Sequence, residues 1–303
     1  MLKNSKLLPI DIISYAYIIF NLIYILLGRN RIENAGFHLL IFANIALILF
    51  LIITFHKPGG NIVLSFLRHW YPLILVAYYF SVSTIVCRVV FPEYLDPYFQ
   101  YIDKRIFGYQ PAIEWGKWYN NTIIQEIFYF AYFSYYLIVP GVAFLICFKK
   151  REYFQKYIFT ISFVYYVCFF TYSILPVVGG RYWDDIFQLA MTSRGGIFPG
   201  IMAFIYTNSQ HKGAAFPSSH VAIMVVVNMA TFKYSARLGK ALMPLTILLT
   251  VATVYCHYHY VVDTLFGIIY AFIFFLLGEK LYDYLMELKT SSRYEVNLEA
   301  GKK

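Results

Sequence analysis

Long apolar runs separated by short polar stretches make up most of the chain, and the apolar positions fill whole segments rather than one face. Eight runs meet or approach the roughly 20 residues a helix needs to cross a bilayer: 10–27, 36–55, 70–91, 122–148, 156–178, 217–234, 241–257 and 259–284. In hydrocarbon, backbone N–H and C=O groups must be satisfied within the structure, so unbroken runs of this length imply helices. The alternating pattern of a transmembrane barrel does not run through the sequence. The pattern therefore predicts an all-α, polytopic transmembrane helical bundle of about eight spans. We divide it into an N-terminal pair of transmembrane helices in 1–60, a six-helix core in 61–286 and a disordered cytoplasmic tail in 287–303. No internal repeat is visible.

Composition agrees with this reading. Of 303 residues, 60% are hydrophobic and 14% charged, well short of the roughly 25% charged residues of a soluble domain. The formal charge of +9 gathers in short loops and tails, which reads as topology and contact with anionic headgroups, not as nucleic-acid binding. With eight spans, Lys3 and Lys6, Lys57 and Arg68, Lys149 to Arg151, Lys233 to Lys240 and the basic C-terminus all fall on one side. That side is assigned as cytoplasmic, with both termini there; Arg29 and Arg31 oppose the majority. Two longer connections, 92–121 and 179–216, then face outward. The first holds Trp115 and Trp118 and is expected along the interface. The second contains a possible short helix at Ile197–Thr207. Cys87, Cys147, Cys168 and Cys256 lie in or beside apolar stretches and read as small buried hydrophobes. The first apolar run has no small-residue cleavage site after it and is expected to be a retained span.

Three stretches carry candidate chemistry, and the topology puts them at one membrane face. Phe216-Pro217-Ser218-Ser219-His220 reads as a helix start with Pro217 in the first turn. The free N–H groups of Ser218, Ser219 and His220 would then form a phosphate cradle; a plain capped helix start is the simpler alternative. In the stretch from Tyr255 to Asp263, His259 and Asp263 stand four apart. On a helix they share a face, where a carboxylate fixes an imidazole's tautomer and frees its other nitrogen for nucleophilic or base chemistry. A purely structural His–Asp pair would have the same spacing. Metal ligation by Cys256, His257, His259 and Asp263 is disfavoured, because positions two apart on a helix point to different faces. The remaining stretch, Leu175 to Arg181 and earliest in the chain, has two glycines that let the backbone approach a ligand and an arginine suited to phosphate; an arginine at the end of a span also commonly just snorkels.

Taken together these residues resemble the type-2 phosphatidic acid phosphatase superfamily, which shares its active-site design with vanadium haloperoxidases. Pro217-Ser218-Ser219-His220 is similar to the family's second motif, with Ser219 in the glycine's place. His259 and Asp263 match the His-x-x-x-Asp that ends its third motif, and Arg181 is the counterpart of the arginine in its first. The resemblance covers about residues 92–284, and the segment from Asp103 to Pro111 also resembles the branch that includes inositol phosphorylceramide synthases. Three positions depart from the pattern: Ile174 stands where the first motif has lysine, Tyr182 where it has proline, and Thr253 where the third motif has arginine. His257, Lys212 or Arg194 could supply the missing phosphate-binding cations. The resemblance implies a six-helix phosphatase core and a lipid phosphate substrate within the bilayer. It implies His259 as nucleophile, Asp263 as its stabiliser, His220 as acid and base, and Arg181, Ser218 and Ser219 as phosphate ligands. No cofactor or metal is expected. Transfer to an alcohol, with the same residues, is the alternative to hydrolysis; a proton-coupled transporter is a remote third. A bacterial inner membrane with a periplasmic site is the expected location, and oligomeric state is not legible.

Overall fold

The computed structural model describes residues 6–182, 195–208 and 212–300. In chain order its helices are α1 (Pro9–Leu27), α2 (Ala35–Phe55), α3 (Ile62–Val86), α4 (Asp96–Phe107), α5 (Pro111–Trp118), α6 (Thr122–Lys149), α7 (Arg151–Ile174), α8 (Ile197–Thr207), α9 (Ser219–Tyr234), α10 (Ala236–Tyr255) and α11 (Val261–Ala300). A single 3₁₀ turn covers Gly179–Tyr182. The only β-type pairing among the described residues is an isolated bridge between Val177 and Ala214.

All eight predicted apolar runs are helices, and seven of these are long and apolar enough to cross a membrane. The eighth, α9, has 16 residues, about 24 Å of helix against a hydrocarbon layer of about 30 Å. It packs against α6, α7, α10 and α11 and is buried over most of its length. A helix enclosed in this way has no need to match the bilayer. The connection 92–121 folds into α4 and α5, and Tyr98, Tyr101 and Trp118 are exposed there. The helix predicted at Ile197–Thr207 is α8.

Two boundaries correct the sequence reading. Residues 287–300, expected as a disordered tail, continue α11 as helix to Ala300. Glu, Leu and Lys in this stretch are good helix formers, and propagation from an existing helix is far easier than nucleation. The third span was expected to begin at residue 70, after Arg68. Instead α3 begins at Ile62, where the Asn61 side chain accepts from the N–H groups of Val63 and Leu64. Arg68 therefore lies inside a helix and is 2% exposed.

Its charge is matched by Asp11 of α1. The guanidinium donates to Asp11 Oδ1 and Oδ2 at 2.7 and 2.5 Å. Tyr71 Oη adds a bond to Oδ1 at 2.9 Å, and the Leu8 N–H donates to Oδ2 at 2.6 Å. The fork geometry and the satisfied carboxylate make this buried pair tenable. Removing one partner strands the other in an apolar surround, at a cost of about 3–5 kcal/mol. Arg68→Met is therefore expected to lower the thermal unfolding midpoint in detergent markedly. Asp11→Leu combined with Arg68→Met should recover most of the loss, and a single variant as stable as wild type would contradict this account.

Candidate active site

The three chemistry-bearing stretches meet at one end of the bundle, and main-chain contacts hold them there. After α7 the chain passes through Val177, whose carbonyl accepts from the Ala215 N–H at 2.8 Å, joining the first stretch to the second. Gly179 has φ +81, and a Cβ there would collide with the carbonyl oxygen of Tyr258. A Cβ on Gly180 would collide with the carbonyl oxygen of His257. Only glycine permits this approach. The two glycines were expected to admit a ligand; they admit the backbone of the third stretch instead, and this seats Arg181 beside it.

The second stretch caps α9 with Ser218, whose Oγ accepts from the Val221 N–H at 3.4 Å. Pro217 thus lies before the cap, not in the first helical turn. Two N–H groups expected to be free are occupied. Ser218 donates to the Asp263 carbonyl at 3.0 Å. Ser219 donates to Tyr172 Oη at 3.0 Å, and that hydroxyl donates onward to the Pro217 carbonyl at 2.8 Å. Extended backbone buried ahead of a helix needs partners, and these groups have found them within the protein. Ser218 and Ser219 consequently shape the turn that presents His220.

The third stretch places His259 in the connection between α10 and α11. The N–H groups of Tyr258 and His259 share the Thr253 carbonyl, each at 3.1 Å. Asp263 occupies the first turn of α11, and its Oδ2 accepts from the Tyr260 N–H at 2.9 Å, one half of a capping box. The same Oδ2 lies 3.5 Å from His259 Nδ1. Both Nδ1 and Asp263 Oδ1 are buried and have no hydrogen-bond partner among the described residues. At 3.5 Å the two atoms are beyond a normal hydrogen bond. Burial, with the His220 ring second, pushes the His259 imidazole well down, to about 3, which keeps the ring neutral at physiological pH.

His220 faces His259 with ring centroids 6.3 Å apart. Its Nε2 is 3.2 Å from Tyr132 Oη, and that hydroxyl is 2.7 Å from Tyr206 Oη. The Arg181 guanidinium lies over the Tyr206 ring, 4.8 Å from its centroid. Arg181, His220 and His259 line one chamber of about 80 Å³ with Tyr132, Tyr136 and Tyr258. Beyond it a larger, mainly apolar cavity of about 420 Å³ runs between α3, α6 and α7 and shares His220, Phe80 and Tyr136 with the chamber.

Two expected phosphate ligands lie elsewhere. His257 has φ +62, and its Nδ1 bonds the Ala112 carbonyl of α5. This main-chain kink, which the helical-spacing argument could not foresee, takes the ring out of the chamber lining and uses it to dock α5. Lys212 is exposed, and its carbonyl faces Cys87 Sγ at 4.0 Å; it does not line the chamber. Arg194 lies outside the described residues. At the position of the third-motif arginine, Thr253 Oγ1 is 3.0 Å from Thr264 Oγ1, a neutral bond between α10 and α11.

Sequence reasoning missed two buried carboxylates on α4. Asp96 Oδ1 accepts from the Gly179 N–H at 2.9 Å and from Tyr260 Oη at 2.8 Å, and its Oδ2 from Val178 N–H at 2.9 Å. Asp103 accepts from the N–H groups of Val261 and Val262 at 2.8 and 3.1 Å, satisfying donors that open α11. One interfacial helix thus holds both the arginine turn and the histidine connection. The signal was available: Asp96 and Asp103 stand seven apart, on one helical face at the membrane edge, where ionisable residues are costly. Tyr132, Tyr172 and Tyr206, by contrast, could not be picked out among 30 tyrosines.

Two histidine rings thus face each other at one end of the bundle, with an arginine beside them and an apolar cavity behind. A family model described as the PAP2 superfamily matches residues 106–277, more than half of the chain, and the protein belongs to that superfamily. Comparison with curated proteins and with solved structures gave no match.

Burial raises the Asp96 carboxyl from 3.8 to about 6, against the pull of bonds from Val178, Tyr260 and Gly179. The native state therefore holds this proton more tightly than the unfolded chain. The associated stability is complete below about pH 4 and is lost as pH rises through about 6. Relative to Asp96→Asn, the wild-type unfolding midpoint is expected to fall between pH 4 and 7; parallel profiles for the two proteins would contradict the assignment.

Proposed function

We propose that this protein is a membrane-embedded lipid phosphate phosphatase, hydrolysing a phosphoester or pyrophosphate of a lipid through a phosphohistidine intermediate. The observation that carries the reading is the pair of facing imidazoles, 6.3 Å between centroids, in a chamber they share with Arg181. The adjoining apolar cavity of about 420 Å³ supports a lipid as the carrier of the phosphate, since it offers tail-compatible walls up to His220.

In the proposed reaction Nε2 of His259, the ring nitrogen remote from Asp263, attacks phosphorus as the bond to the lipid oxygen breaks. His220, protonated in the substrate complex, gives its proton to that oxygen and becomes neutral, and Asp263 stabilises the imidazolium character that develops on His259. Water then attacks the phosphohistidine and gives its proton to His220; the P–N bond breaks, releasing phosphate and restoring both histidines. Arg181 balances the charge on the non-bridging oxygens, helped by the positive end of α9. Ser218 and Ser219 act by holding the turn before α9. This scheme needs no metal. The distribution of basic residues supports a site on the non-cytoplasmic face with both termini cytoplasmic, as in a bacterial inner membrane. The two N-terminal helices are then additions to a six-helix catalytic core.

The test is turnover of labelled lipid phosphates by purified protein, with and without alcohol acceptors. Release of free phosphate is the expected result; a new phosphorylated lipid appearing only with an alcohol would replace hydrolysis by transfer. His259→Ala is expected to reduce turnover by on the order of 10³-fold or more with an unchanged unfolding midpoint. Near-wild-type turnover by this variant would remove His259 as the nucleophile. Arg181→Lys should mainly raise KM, because an ammonium lacks the fork that grips two oxygens.

A further inference from the structure

At the end of the bundle opposite the catalytic chamber, separated from it by the 24 residues of α7, or about 36 Å of helix, lies a second polar cavity. It encloses about 550 Å³, and its lining includes Lys6, His56, Arg68, His69, Arg151 and Lys289, with no carboxylate among the described lining residues. Asp11 neutralises Arg68 from behind. Backbone carbonyls position two others: Lys6 Nζ donates to Thr54 O and Lys289 Nζ to Leu7 O, each at 2.6 Å. A carbonyl fixes an ammonium without cancelling its charge, and the described lining carries basic side chains and no carboxylate. Burial and the neighbouring His69, Arg68 and Lys6 push the His56 imidazole down, consistent with a positive local field.

This cavity does not end in the polar region. A mainly apolar groove of about 350 Å³ shares Ser65, His69, Arg151 and Gln155 with it and continues along Trp70, Phe144, Phe148 and Phe154. Trp70 and Phe144 stack with centroids 4.2 Å apart, forming a firm aromatic wall. Basic residues at a membrane face are ordinary and by themselves report only topology. A concave cationic bowl that opens directly into an aromatic groove fits an amphiphile, with an anion at one end and a hydrocarbon chain at the other.

We propose that this composite cavity is a binding site for an anionic phospholipid, its headgroup phosphate in the bowl and one acyl chain in the groove. The site would clamp the starts of α1, α3 and α7 against α11 and is separate from the catalytic chamber. Charge complementarity selects the lipid: the bowl can discriminate an anionic from a zwitterionic headgroup, and the groove demands a chain that free phosphate lacks.

The test uses full-length protein delipidated in a neutral detergent and titrated with phosphatidylglycerol or phosphatidylcholine of identical chains, with bound lipid counted by native mass spectrometry. One phosphatidylglycerol is expected to bind at least about tenfold more tightly than phosphatidylcholine. Arg151→Gln with Lys289→Gln should bring that ratio close to 1, while Arg151→Lys alone keeps it. Phosphatidylglycerol with brominated chains should quench tryptophan emission, and Trp70→Phe should remove most of the quenching. Equal affinity for the two lipids would overturn the proposal, as would an undiminished preference in the double variant. So would displacement of the lipid by equimolar inorganic phosphate, which would indicate a site for the free anion, or quenching that does not depend on Trp70.

Discussion

Four chain segments abandon helical geometry at one end of this bundle, and each brings backbone N–H and C=O groups into a region where water is scarce. An unsatisfied group there is costly, so irregular backbone at membrane depth survives only when protein supplies its partners. Here the segments satisfy one another. Ser218 N–H bonds Asp263 O, Ala215 N–H bonds Val177 O, and Leu95 N–H bonds Pro176 O. Asp96 and Asp103 take the donors left over at residues 178–179 and 261–262. Satisfaction of the backbone and placement of the chemical groups are thus the same event: the bonds that make the turns tolerable also bring Arg181, His220 and His259 to one chamber.

The apolar spans were readable because hydrocarbon imposes a length and a composition on any helix that crosses it. His220, His259 and Asp263 were readable because polar groups in such a setting are few and their spacing is narrow. The limits of the reading lie where one residue has two physical uses. Arg68 looked like a topology charge and is a buried partner of Asp11. Gly179 and Gly180 looked like room for a ligand and are room for a neighbouring main chain. His257 looked like a cation near phosphate, but a left-handed backbone at that residue turns its ring toward α5. None of these outcomes follows from spacing along a helix, since each depends on which other segment arrives.

The two ends of the molecule solve opposite electrostatic problems. Around the histidine chamber, carboxylates on α4 answer clustered N–H donors. At the far end ammonium and guanidinium groups predominate, and carboxylates pair with some of them: Asp11 with Arg68, Asp283 with Lys156 and Glu279 with Lys233.

The enclosure of α9 has a bearing on how the enzyme meets its solvent. A helix in contact with lipid tilts or shifts when the bilayer thickens or thins. Because α9 is wrapped by α6, α7, α10 and α11, its vertical position is dictated by its protein neighbours. His220, carried in its first turn, therefore keeps a constant depth relative to His259 whatever the local lipid composition, and the catalytic geometry is insulated from the thickness of the membrane that hosts it.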